Sequence, residues 1–230
     1  MLLERKSVHV LVDGQRMEAS SGQFLFNFDQ QEISRLLSFP AHKQQEQEQA
    51  RERKKIEEAA KWFQRALELE QSGVAMGEAT AAYEKAIELD PRCIGALVNL
   101  GTIHFHERQW KRAESYYKRA LEIQPDYALG HFNLANLYDE RGDLSNSYLH
   151  YTAALRIVPN YADAHYNLAL LCQRTGQVMK AVRHWRAYLK LDGSGSWADV
   201  ARRELEKLRD VTVVKGDSGA GREHSPRVVS

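Results

Sequence analysis

Nine histidines and two cysteines are the side chains of this chain best suited to holding a metal or attacking a carbonyl, and their spacing argues against both uses. His104 and His106 lie two apart, which on a helix turns them about 200° from each other, so they cannot grip one ion. His131 and His165 are 34 residues apart, as are His150 and His184. A histidine that returns at a fixed interval reads as a framework residue rather than a catalytic one. Cys93 and Cys172 form no close pair, so neither a disulfide framework nor a metal knuckle is indicated. A glycine-rich phosphate loop, a nucleophile elbow and a His-Glu-x-x-His run are all missing. The expectation is a chain with no catalytic residue, no metal site and no cofactor.

Another kind of chemistry does recur. Asn99, Asn133 and Asn167 follow one another at 34-residue intervals, and Gln64 holds the matching place further upstream. A side-chain amide both donates and accepts, so a row of them can grip the C=O and N–H groups of an extended backbone with little demand on its sequence. One residue before each amide stands an apolar or aromatic residue: Phe63, Val98, Phe132 and Tyr166. Asn136 lies one helical turn beyond Asn133. An apolar stripe beside an amide row suits a peptide better than a highly charged ligand. These nine residues are the candidate partner-binding set.

The elements that must position them are read from the same period. Pro91, Pro125 and Pro159 each close an alanine-rich helical pattern, with Gly193 in the corresponding place once more. Residues 94–127, 128–161 and 162–195 align without a gap. In each, a leucine (Leu100, Leu134, Leu168) is followed at once by a small residue (Gly101, Ala135, Ala169). A second helical pattern then places an aromatic at Tyr117, Tyr151 and Trp185, with Ala120, Ala154 and Tyr188 three residues on. Small residues let helices approach closely and an aromatic on the facing helix fills the space beside them, so each segment predicts an antiparallel helix pair. An earlier copy, 59–93, fits if one residue is inserted in its turn between Gly73 and Gly77. A fixed period of this length predicts an all-α solenoid.

The pattern resembles the tetratricopeptide repeat. Its large, small, aromatic, turn-glycine, alanine, aromatic, alanine and proline positions are met by Trp62, Ala66, Leu69, Gly73, Ala79, Tyr83, Ala86 and Pro91. They are met again by His131, Ala135, Tyr138, Gly142, Ser147, Tyr151, Ala154 and Pro159. Departures are local: Arg108 replaces the turn glycine of the second copy, and Ser147 an alanine of the third. The resemblance implies a right-handed superhelix of antiparallel helix pairs in which the first helix of each pair lines a concave groove. It also implies a non-catalytic scaffold or adaptor that binds a protein or peptide there. The amide row is similar to the asparagine ladder of O-linked N-acetylglucosamine transferases, whose catalytic part is not resembled. Family members that clamp a chaperone's terminal carboxylate use groove cations; here those positions hold residues such as Leu129 and Asp163, so that role is not expected.

Residues 196–210 read as a capping helix with a polar outer face, as a solenoid end requires. Upstream, 8–12 and 15–19 flank Asp13-Gly14 as in a type I′ hairpin, and Phe24, Phe26 and Phe28 alternate as in a further strand. A short helix ending at Pro40 completes a small unit over 1–40, followed by a charged helical linker, 41–58. The glycine-rich tail 211–230 is expected to be disordered. The segment around Asp13-Gly14 and Phe24 to Phe28 is similar to bacterial MerR-like regulators that carry such repeats. It implies an alternative role: a transcription-associated regulator acting through a partner or a missing DNA-binding module. The net charge of +1, from 32 basic and 31 acidic residues, gives no global field toward nucleic acid or membrane. The fourth copy is locally basic, which reads as a solvated face. Without a signal-peptide core or a long apolar span, a cytoplasmic protein, monomeric or weakly self-associating, is expected.

Overall fold

A computed structural model describes the backbone of residues 9–12, 15–18, 24–25, 30–72 and 76–217, and side chains over 43–72 and 77–209. The chain divides into two compact units, Met1–Ile56 and Glu57–Ser230. In the first, β1 (His9–Val12) pairs antiparallel with β2 (Gln15–Glu18), in a register that sets Val12 opposite Gln15. β3 (Phe24–Leu25) pairs antiparallel with β2, setting Met17 opposite Phe24. The Asp13-Gly14 turn and Phe26 to Phe28 lie outside the described residues.

Nine helices follow among the described residues: α1 (Gln30–Gln71), α2 (Met76–Leu89), α3 (Ile94–His106), α4 (Trp110–Ile123), α5 (Ala128–Glu140), α6 (Leu144–Ile157), α7 (Ala162–Arg174), α8 (Val178–Leu191) and α9 (Gly195–Asp217). The boundaries of α3, α5 and α7 repeat at 34-residue intervals, as do those of α4, α6 and α8. Turns of three residues reverse the chain inside the pairs α3/α4, α5/α6 and α7/α8, and packing continues from each pair to the next, so the core is a line of inter-helix layers. The turns obey backbone geometry more strictly than residue type. Gly142 and Gly176 take φ of 76° and 71°, and Arg108 is forced into the same left-handed region at φ 59°.

The small-to-aromatic packing of the sequence pattern is present. Tyr83, Tyr117, Tyr151 and Trp185 are buried against the preceding helix of their own pair. At Gly101 the approach is so close that an added Cβ would stand 2.5 Å from the Tyr117 ring. Leu100, Leu134 and Leu168 are at most 1% exposed and tie successive layers together.

Two boundaries differ from the sequence reading. The break expected at Pro40 is absent, because α1 runs through it to Gln71. Proline's fixed φ is compatible with a helix, and the loss of one N–H donor does not end this one. At the other end, helix α9 continues through 211–217, which removes the first third of the expected disordered tail. Residues 218–230 lie outside the described residues.

Candidate functional site

The amides sit where one helix pair meets the next. Asn99 Nδ2 donates to Tyr83 Oη at 2.8 Å, and that hydroxyl donates to Glu70 Oε2 at 2.7 Å. Asn167 Nδ2 donates to Asn136 Oδ1 at 2.9 Å, an oxygen that also accepts from Tyr151 Oη at 2.5 Å. Asn133 Nδ2 makes a longer bond, 3.4 Å, to Thr102 Oγ1. Since the Thr102 hydroxyl donates to Val98 O, its oxygen is left to accept from Asn133 and from Tyr117 Oη, 3.2 Å away. The hydroxyls of Tyr83, Tyr117 and Tyr151 thus each meet a polar group of their own pair, and the asparagine of the next pair closes the junction. In the last pair Trp185 Nε1 donates to Gln173 Oε1 at 2.7 Å, and Gln173 Nε2 passes the chain on to Glu204 of α9 at 2.8 Å. Burial, together with the Glu70 acceptor, pushes the Tyr83 phenol up; burial alone takes Tyr117 up to about 12.

Along the apolar stripe, Phe63, Phe132 and Tyr166 are half-buried. Phe132 leans on Tyr161 with centroids 4.9 Å apart, and Tyr166 on Trp185 at 4.9 Å. Val98 is a correction: it is 1% exposed and belongs to the core, because its short side chain ends inside the layer that the rings reach past. Gln64, on α1, is exposed. Phe132, Tyr166 and Asn167 share a cleft of about 340 Å3 with Asp163, Tyr188, Asp192 and Trp197. Those last four were not candidates. Trp197 reaches the cleft because Gly195, at φ 85°, turns the chain sharply after α8. Its ring then meets Tyr166 edge-on at 5.4 Å.

The recurring histidines bind each other. His131 Nε2 lies 3.0 Å from Pro125 O, and since a carbonyl only accepts, this nitrogen carries the proton. His131 Nδ1 is then the acceptor for His150 Nδ1–H, 2.9 Å away. His165 and His184 repeat the arrangement at 3.0 Å, with Pro159 O as the carbonyl. Burial first, then the neighbouring histidine, lowers His150 and His184 from 6.5 to about 4. Both cysteine thiols are pushed up by burial, the opposite of an activated thiolate. Among the described residues no group of three metal-ligating side chains converges, and no helix is long and apolar enough to cross a membrane.

Tetratricopeptide-repeat family models match residues 95–127, 116–146 and 136–176. The chain carries tetratricopeptide repeats. A crystal structure of a tetratricopeptide repeat protein from Parabacteroides merdae superposes with a TM-score of 0.57 at 22% identity. That match covers 66% of this chain and 60% of the other, so this chain spans about three fifths of that relative's length. A crystal structure of MamA superposes with a TM-score of 0.55 at 18% identity, covering 74% of this chain and 98% of that one. At these identities the likeness is one of fold. No curated protein sequence matches the chain. Tetratricopeptide repeats generally mediate protein–protein interaction, and the matched models lie within the helix pairs, leaving the regulator resemblance of the N-terminal segment without support.

Proposed function

We propose that this tetratricopeptide-repeat chain is a non-catalytic scaffold whose right-handed superhelix holds an extended peptide segment of a partner protein. The segment lies along the face carrying Gln64, Asn99, Asn133 and Asn167, with its side chains against Phe63, Phe132 and Tyr166. The observation that carries this reading is the division of labour inside each asparagine. Nδ2 is committed to the preceding repeat, whereas Oδ1 of Asn99, Asn133 and Asn167 accepts from no donor among the described residues. An amide pinned through its nitrogen presents its oxygen in one orientation, so a peptide N–H that meets it loses little to ordering the receptor. Each such bond contributes roughly 1 kcal/mol net, so three need side-chain contacts beside them to reach micromolar affinity.

Panning a displayed library of random linear peptides on the full chain tests this. Enriched peptides are expected, and methylating single backbone nitrogens in them should weaken binding about fivefold where an N–H meets an amide oxygen. Asn133→Ala with Asn167→Ala is less clean, because it also removes inter-repeat bonds. Failure to enrich over a blank surface, or indifference to N-methylation at every position, overturns the proposal.

A further inference from the structure

The cleft at the end of the repeat array differs in character from the rest of the face. Of its lining residues, Asp163 and Asp192 are carboxylates, none is a cation, and Phe132, Tyr166, Tyr188 and Trp197 are aromatic. Asp163 is exposed and has no ion-pair or hydrogen-bond partner among the described residues. Asp192 accepts one bond, from Tyr188 Oη at 3.0 Å, which leaves its other oxygen open. Three of the five basic side chains of the same repeat are directed elsewhere. Arg174 pairs with Asp139, Lys180 donates to Tyr148 Oη, and Arg186 lines a separate cleft with Arg202 and Arg209. Burial of Tyr188, then its bond to Asp192, pushes its phenol up to about 12, and the Asp163 carboxylate acts in the same direction, so both charges are felt inside the cleft. Trp197 is 63% exposed, an unusual fraction for a tryptophan that already touches another ring.

We infer that this cleft receives the guanidinium or ammonium group of an arginine or lysine in the bound peptide, held between the Asp163 and Asp192 carboxylates and the Tyr166 and Trp197 rings. The inference rests on the peptide-binding reading above. Aromatic faces attract organic cations, and a planar guanidinium stacks on a ring while its edge donates to a carboxylate. A calcium or magnesium ion is the poorer fit, because it takes six or more oxygens and gains nothing from aromatic walls.

The peptides enriched on the full chain supply the test. They are expected to share an arginine or lysine at one fixed position, and replacing it by citrulline or norleucine should weaken binding about tenfold or more. In Asp163→Asn/Asp192→Asn, which keeps an acceptor for Tyr188 Oη, that difference should vanish; Trp197→Ala should shrink it. Enriched peptides with no fixed basic residue, or a citrulline effect equal in both proteins, overturn the cation site while the groove survives. If no peptide is enriched, both fall together.

Discussion

The two histidine pairs make stability depend on pH in a calculable window. His150 and His184 titrate at 6.5 in an unfolded chain and at about 4 in the fold. Their folded values are depressed, so the unfolded state takes up protons first and acid favours unfolding. The contribution is fully present above 6.5, is lost as pH falls from 6.5 toward 4, and changes no further below that. At a pH near 5 one such ring costs roughly 2 kcal/mol. Half-burial leaves solvent screening that about halves this figure, so the two rings together cost ~2 kcal/mol. Urea unfolding followed by far-UV circular dichroism, near neutral pH and near pH 5, measures the loss. In His150→Gln/His184→Gln the amide can still donate to His131 and His165 but cannot titrate, and about 2 kcal/mol of the pH dependence should disappear. Equal dependence in the two proteins would refute the assigned environment of the pairs. Carboxylates held low by their partners, such as Glu204 beside Lys207 and Gln173, act in both chains alike and cancel in the comparison.

Two single substitutions test departures from the repeat pattern. Ser147 is 0% exposed and its Oγ, although near the Tyr151 hydroxyl, makes no hydrogen bond of good geometry, where Ala79, Ala113 and Ala181 occupy the equivalent position. Ser147→Ala should therefore stabilise the chain by about 1 kcal/mol in the same urea assay, and destabilisation would mean that the hydroxyl has a partner. Arg108 holds a left-handed φ of 59° where the neighbouring turns use glycine, so Arg108→Gly should raise stability by roughly 0.5–1 kcal/mol; a lower urea midpoint would show that the Arg108 side chain contributes more than its backbone strain costs.

The repeat positions were legible because each of the three aligned segments solves one packing problem with the same residues. The 34-residue period alone set α3 to α8. What lay beyond the period was harder to read. The helix across Pro40 and the charged residues after it has no continuous apolar stripe to reveal it, and α9 continues into Val211, Val213 and Val214, whose β-branched side chains have modest helix propensity. The amides illustrate a subtler limit. Their register was plain in the sequence, but only coordinates show that a residue repeated every 34 positions also faces its neighbour's equivalent pair. Asn99, Asn133 and Asn167 are therefore lattice bonds first, and any grip on a partner falls to the oxygen left over.

That distinction separates two classes of residue on one face. Residues that recur build the junctions, and being the same at each step they can present a partner only with a uniform, backbone-directed surface. Discrimination between partners needs positions where the repetition breaks. The cleft at the C-terminal end is assembled from such breaks. Asp163 stands where the earlier copies have Gly95 and Leu129, and Tyr188 where they have Ala86, Ala120 and Ala154. Trp197 comes from the cap, which belongs to no repeat. Tyr188 is larger than the alanines it replaces, and its ring meets Tyr166 at 5.1 Å to form the aromatic floor of the cleft. In the earlier pairs an alanine at that position leaves no such floor. A chain built this way would bind along its length through the recurring amides and choose its partner at one end.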